Sequence, residues 1–148
     1  MSKAPPADIA LDTLRERCRR AGLPVTPQRL AIYRALSSSF DHPSPERLFA
    51  RVKPVMPSIS LATIYKALDT LRSLGLASEL ASGGDARRYD ANMGPHQHLV
   101  CDACHAIEDL CEASLELPLP KPKAGFIPRT VRVSVHGLCR RCSSGGAA

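Results

Sequence analysis

Four segments with helix-start signals and apolar residues spaced three and four apart come first, followed by a hairpin signal. Basic charge is gathered before residue 90, while five of the six Cys and four of the five His come after it. Together these observations predict an α+β fold in two parts. Residues 1–90 are expected to form a winged helix-turn-helix domain with a hinge at its end. Residues 91–148 are expected to form a small C-terminal α/β domain around a four-cysteine zinc site and to end in a disordered tail from Ser143.

Each element has its own warrant. Asp8 or a neighbour starts a first helix with Ile9, Leu14 and Cys18 on one side and Gly22 as its stop. Thr26-Pro27 is a capping hydroxyl followed by proline at the first helical position, and Leu30, Tyr33, Arg34 and Leu36 follow it. Ser44-Pro45 repeats that signal ahead of Leu48 and Phe49. Ser58 or Ser60 caps a fourth helix, whose apolar positions Leu61, Ile64, Leu68, Leu71 and Leu74 run to the stop at Gly75. Leu76–Leu80 and Ala86–Tyr89 flank the turn signal Ser82-Gly83-Gly84-Asp85, the pattern of a β-hairpin. Ala91–Pro95 has the composition of a boundary.

Helices ending in a long amphipathic one, then a hairpin, is the order of a winged helix. Ser60, Ala62, Thr63, Tyr65 and Lys66 cluster at the N-terminal end of the fourth helix, where base and phosphate contacts belong, and Arg87-Arg88 fall on the wing. A plain helical bundle with a solvated polar face is the competing reading.

Composition points the same way. The chain has 148 residues and 44% hydrophobic residues, enough to bury about two-thirds of its unfolded surface. Residues 1–90 hold 14 Lys/Arg against 9 Asp/Glu, and residues 91–148 hold 6 against 5. The net charge of +6 and a pI near 9.2 imply an anionic partner, nucleic acid first. No run approaches the roughly 18 apolar residues of a membrane span, and Met1–Pro6 lack a signal-peptide core. A cytoplasmic protein with no membrane partner is expected, in a compartment where thiols stay reduced.

The cysteines then need another explanation. Cys101-x-x-Cys104 and Cys139-x-x-Cys142 are two turns that each aim both sulfurs at one point. Two such turns complete a tetrahedral thiolate site, which favours structural Zn²⁺. Disulfides and a thioredoxin-like motif fit the compartment and the doubled pattern less well. Cys18 and Cys111 have no such partner and read as small apolar residues.

His96 and His98 would face the same side of a strand and so could reach one ion. Asp90 ends the wing, and Asp109 lies on the expected strand Ala106–Leu110. Imidazoles and carboxylates suit Fe²⁺, Mn²⁺ or Zn²⁺.

Gly22-Leu23-Pro24-Val25-Thr26-Pro27-Gln28-Arg29, His42-Pro43-Ser44, Ser60–Leu68, and His96-x-His98-x-x-Cys101-x-x-Cys104 with Cys139-x-x-Cys142 resemble the Fur family of metal-dependent bacterial repressors, from about residue 10 to 142. The resemblance implies homodimerisation through the C-terminal domain and binding of double-stranded operator DNA by the N-terminal one. It places Arg29, Tyr65 and Lys66 near DNA. It is strongest to the peroxide-sensing PerR branch, in which three His and two Asp hold regulatory iron or manganese. The matching positions are His42, Asp90, His96, His98 and Asp109. Iron-sensing members more often carry Glu in place of Asp109, and iron-level or zinc-level sensing are the alternatives. The likeness also marks His42 and His96 as the imidazoles that peroxide would oxidise through bound Fe²⁺.

Three features depart from the family pattern. His105-Ala106 stand where Gly-Lys is common, with His105 near the metal or simply exposed. Leu117–Lys123 carry three prolines where relatives often have a helix of the dimerisation domain. His136, after an expected strand Val131–Val135, is a candidate for a further metal site. Readings from other classes are a zinc-ribbon interaction module without sensing and a hydrolytic metalloenzyme. The second would need an open coordination position and a nucleophile motif, and neither is legible, so no enzyme is expected.

Overall fold

The computed structural model describes residues 7–81, 87–110, 122–127 and 131–145. The chain is α+β. Its elements run α1 (Ala7–Arg20), α2 (Pro27–Ser37), α3 (Pro45–Val52), α4 (Leu61–Ser73), β1 (Ser78–Leu80), β2 (Arg88–Asp90), β3 (Gln97–Cys101), β4 (Ile107–Leu110), β5 (Ser134–Gly137) and α5 (Arg140–Ser143).

The helix starts are side-chain caps. Thr26 Oγ1 accepts from the Arg29 N–H at 3.2 Å, and Ser44 Oγ from the Arg47 N–H at 3.4 Å. Ser60, not Ser58, caps α4, accepting from the Thr63 N–H at 3.2 Å. Each such cap contributes about 1 kcal/mol. Helix α4 ends where Gly75 takes φ +67°, so that the Leu76 N–H returns to the Leu71 carbonyl at 2.8 Å. A Cβ is costly in that left-handed conformation.

The four helices close on one apolar core in which Leu14, Ile32, Leu36, Leu48, Ile64, Leu68 and Leu71 are fully buried. Burying each contributes about 1.5–3 kcal/mol. The buried side of α1 is Ala10, Leu14 and Cys18, whereas Ile9 is exposed. Residue 9 is five before Leu14, off the three-and-four spacing of one helical face, so the expectation for Ile9 fails on geometry.

Strands β1 and β2 pair antiparallel, with Ser78 opposite Asp90 and Leu80 opposite Arg88. Both are shorter than expected: Leu76 and Ala77 are buried but lie outside the strand. The expected turn at Ser82–Asp85 lies outside the described residues. Tyr89 is buried in the helical core, and its N–H donates to the Pro43 carbonyl at 3.2 Å. This bond ties β2 to the loop between α2 and α3.

The second sheet has the order β4-β3-β5, antiparallel on the β4 side and parallel on the other. Its register sets His98 directly opposite Asp109. Strand β5 begins at Ser134, three residues later than expected, and includes His136. Ser143 closes the turn of α5 instead of opening a disordered tail. Leu80 of the hairpin packs with Val100 and Ile107 of this sheet, so the two parts of the chain share a small apolar contact.

Candidate metal centres

His42 is held before α3 in a conformation few residues adopt. Its φ is +46°, a region where a Cβ is crowded but His is more frequent than most residues. Three contacts hold it there. Arg51 of α3 grips the preceding Asp41 through both guanidinium nitrogens, at 2.9 and 2.6 Å. Arg88 Nη1 donates to the His42 carbonyl at 3.2 Å. The His42 ring is buried, with Nδ1 3.3 Å from the Ile107 carbonyl of β4. A carbonyl can only accept, so Nδ1 is the donor in that contact and Nε2 is the ring atom left for the site.

Nε2 lies beside two carboxylates. His42 Nε2 lies 2.9 Å from Asp109 Oδ1 and 3.9 Å from Asp90 Oδ2. His96 repeats the arrangement: Nδ1 sits 2.8 Å from the Gly94 carbonyl, and Nε2 sits 2.8 Å from Asp90 Oδ2 and 3.0 Å from His98 Nε2. His98 Nε2 is 3.5 Å from both carboxylates. One ligand atom from each of His42, Asp90, His96, His98 and Asp109 lies within 4.8 Å of all the others. Asp109 Oδ1 is buried with no hydrogen-bond donor among the described residues.

Three imidazole nitrogens and two carboxylate oxygens converge there, a donor set that a cation would bridge. The five residues therefore fit a divalent ion of the Fe²⁺, Mn²⁺ or Zn²⁺ class. Burial by itself would raise the Asp90 carboxyl. The hydrogen bond with His98, the Asn92 N–H at 2.7 Å and positive charge on His42 and His96 outweigh it and hold Asp90 below the ordinary range. A bound divalent cation would act on the Asp90 carboxyl in the same direction. Protons and metal thus compete for the site.

The sulfur site is separate. Cys101, Cys104, Cys139 and Cys142 also bring their ligand atoms within 4.8 Å of one another, and the described cysteines are all free thiols. Cys104 Sγ is 3.7 Å from Cys139 Sγ. A tetrahedron with Zn–S bonds of about 2.3 Å requires about 3.8 Å between sulfurs. Main-chain N–H groups, first that of Cys139 at 3.3 Å, draw the Cys101 thiol down to about 6. Hydrogen bonding with Cys139 and Cys104 pushes Cys142 up to about 12. The four thiols cannot all ionise without a cation among them, and Zn²⁺ fits that need.

Over residues 20–136 the sequence matches the Ferric uptake regulator family. The chain belongs to that family. It is 35% identical over 130 residues to the peroxide-responsive repressor PerR of Staphylococcus epidermidis, covering 86% of this chain and 87% of the relative. It is similar in structure to the Campylobacter jejuni peroxide stress regulator, at TM-score 0.64 and 32% identity, covering 89% of this chain and 98% of that one. The Helicobacter pylori ferric uptake regulator Fur shares the fold at TM-score 0.78 and 24% identity, covering 99% and 100%.

On this Fur-family scaffold the candidate DNA contacts differ in how far their side chains are already engaged. Ala62 and Lys66 are exposed on α4. Ser60 Oγ and Thr63 Oγ1 are hydrogen-bonded to each other at 2.8 Å. The Tyr65 hydroxyl donates to Glu46 of α3 at 2.8 Å, and Arg29 Nη1 donates to the Pro24 carbonyl. On the wing Arg87 is exposed beside Glu79, but Arg88 turns inward. From the sequence both arginines were placed only on the wing. Strand parity held the missing signal, because Arg88 shares a face of β2 with Asp90 while Tyr89 takes the other.

His105 is neither exposed nor at the His/Asp site. It is half-buried with φ +58°, and its carbonyl accepts from Arg88. His136 is exposed and pairs with Asp102 at 3.1 Å, apart from both clusters. Cys18 is buried in the helical core. Cys111 and most of the proline-rich stretch Leu117–Lys123 lie outside the described residues.

Proposed function

We propose that the chain is a homodimeric, metal-dependent transcriptional repressor. It holds double-stranded operator DNA while the His/Asp site is filled and releases it on exposure to peroxide. The observation that carries this reading is the meeting of His42, from between α2 and α3, with Asp109 of β4. A ligand set drawn from both parts of the chain fixes the angle between them, and in a dimer the separation of two α4 helices. Operator half-sites are spaced by geometry, so that separation selects the binding-competent state. The S. epidermidis and C. jejuni relatives are named for peroxide response.

In this reading Cys101, Cys104, Cys139 and Cys142 hold structural Zn²⁺, and His42, Asp90, His96, His98 and Asp109 hold Fe²⁺ or Mn²⁺. Fe²⁺ held there would promote cleavage of the peroxide O–O bond, with the imidazole as the net two-electron reductant. The net change is replacement of one carbon-bound hydrogen of the His42 or His96 imidazole by hydroxyl oxygen, with H₂O₂ leaving as water. The altered ring is a poorer ligand, and the two parts separate. Arg29, Ser60, Ala62, Thr63, Tyr65 and Lys66 face DNA. Exposed Leu99 and Val135, paired across β3 and β5, offer apolar surface for the second protomer. Among the described residues no helix is long and apolar enough to cross a membrane, in keeping with work in the cytoplasm.

The test is operator binding by zinc-loaded protein with Fe²⁺ or Mn²⁺, before and after a peroxide pulse, on a duplex selected from a random pool. Release of the iron form alone, with one added oxygen on the His42 or His96 peptide, supports the reading. If both forms hold and only metal removal releases DNA, the chain senses metal level. DNA binding indifferent to iron and manganese would leave a zinc-ribbon module.

A further inference from the structure

The two metal sites are joined through one side chain. Arg88 Nη1 donates to the His42 carbonyl at 3.2 Å, and Nη2 donates to the His105 carbonyl at 3.3 Å. Both acceptors belong to residues with positive φ, +46° at His42 and +58° at His105, and these are the described non-glycine residues in that region. His105 belongs to the first cysteine turn, where its N–H closes onto the Cys101 carbonyl at 2.9 Å. Arg88 itself is two residues before Asp90 on β2.

We infer that Arg88 is a positioning residue: it clamps the His42 backbone to the zinc turn and so holds His42 Nε2 at the regulatory metal site. This rests on the proposed role of the His/Asp cluster. The planar fork of a guanidinium suits it to two carbonyls side by side, which a single ammonium cannot match. His42 needs the support, because its left-handed backbone is otherwise disfavoured and relaxing it would withdraw the ring. An intact zinc turn is thereby a condition for a competent His42. The cysteine site then serves the switch as well as the fold.

The test uses full-length zinc-loaded protein and Mn²⁺ alone, with free Mn²⁺ read by electron paramagnetic resonance. Zinc content and circular dichroism are recorded alongside. Arg88→Gln and Arg88→Lys are expected to retain one zinc per chain and the helical spectrum, with Mn²⁺ affinity lowered about 10–100-fold, the usual effect of losing an outer-shell partner. Arg87→Gln, beside it on the wing, is expected to match the wild type. Unchanged Mn²⁺ affinity in Arg88→Gln would overturn the inference. Full rescue by Lys would overturn the bridging role, and loss of zinc or helix in both variants would make Arg88 a general prop of the fold. If the wild type itself fails to bind Mn²⁺, the reading of the His/Asp cluster falls first and this inference with it.

Discussion

His42 Nε2 stands 2.9 Å from Asp109 Oδ1, while Nδ1, on the other side of the ring, lies 3.3 Å from the Ile107 carbonyl. The carboxylate of Asp90 and the ring of His96 repeat the carboxylate contact at 2.8 Å. Contacts elsewhere in the fold hold these groups together. Those contacts are Arg51 on Asp41, Arg88 on His42, and the β3–β4 register that sets His98 against Asp109.

Zinc uptake should release protons in a number that depends on pH. Near neutrality Cys101, drawn down to about 6, is already a thiolate, while Cys142, pushed up to about 12, keeps its proton. Binding must displace the Cys142 proton at neutral pH and the Cys101 proton as well once pH falls below about 6. Apparent affinity changes about tenfold per pH unit for each proton displaced. A zinc titration of metal-free protein with a pH indicator, at about pH 7.5 and about pH 5.5, should show more protons released at the lower pH. Equal release at both would contradict the assignment.

Lys66 tests the DNA surface. It is exposed on α4, and no hydrogen bond or ion pair of its side chain is seen among the described residues. Lys66→Ala should weaken operator binding and reduce the slope of log affinity against log salt by about 1, the value for one neutralised phosphate. Tyr65→Phe should behave differently, since its hydroxyl is already engaged by Glu46. A Lys66→Ala slope equal to the wild type would remove Lys66 from phosphate contact.

The His42 loop should carry a small acid-sensitive contribution to stability. The Arg51 guanidinium beside Asp41 holds its carboxyl below the ordinary range. A depressed carboxyl contributes stability that is complete above its unfolded value of about 3.9 and is lost as pH falls through the lower folded value. Asp41 is 40% exposed, so the pair is screened and Asp41→Asn should cost only about 0.5–1 kcal/mol at neutral pH. Urea unfolding of both proteins should show the gap closing in acid, and a gap that widened would reverse the sign.

How far these features were legible depends on the range over which each signal acts. Caps at Thr26, Ser44 and Ser60 and the doubled Cys-x-x-Cys turns are local, and local chemistry places them. His96 and His98 needed only strand parity. His42 was different, because no periodicity links it to residues far along the chain, and resemblance alone proposed it. Ile9 was misplaced because bulk was favoured over spacing, with the smaller Ala10 taking the buried position. The inward turn of Arg88 was not read from the sequence, which placed it only on the wing, and its shared parity with Asp90 is the signal that carries it.

The sharpest consequence concerns Asp109→Asn. An asparagine amide can turn its N–H₂ towards His42 Nε2 and so place a donor where a carboxylate oxygen stands. It also removes the buried Asp109 Oδ1 that has no donor among the described residues. Satisfying one such buried group is worth about 1–3 kcal/mol, or roughly 2–4 °C in melting temperature per kcal/mol for a chain of this size. Metal-free, zinc-loaded Asp109→Asn should therefore melt higher than metal-free, zinc-loaded wild type. Added Mn²⁺ should reverse the order. Wild type gains RT ln(1 + [Mn²⁺]/Kd), about 2.7 kcal/mol at a hundredfold excess over Kd, while the variant has lost a ligand charge and gains little. Paired melting curves with and without Mn²⁺ check both halves. If the metal-free variant were instead the less stable, a proton would sit on His42 Nε2 and the contact would be an ordinary ion pair. In that case the fold holds the pair for its own stability, and the carboxylate serves the fold as well as the site.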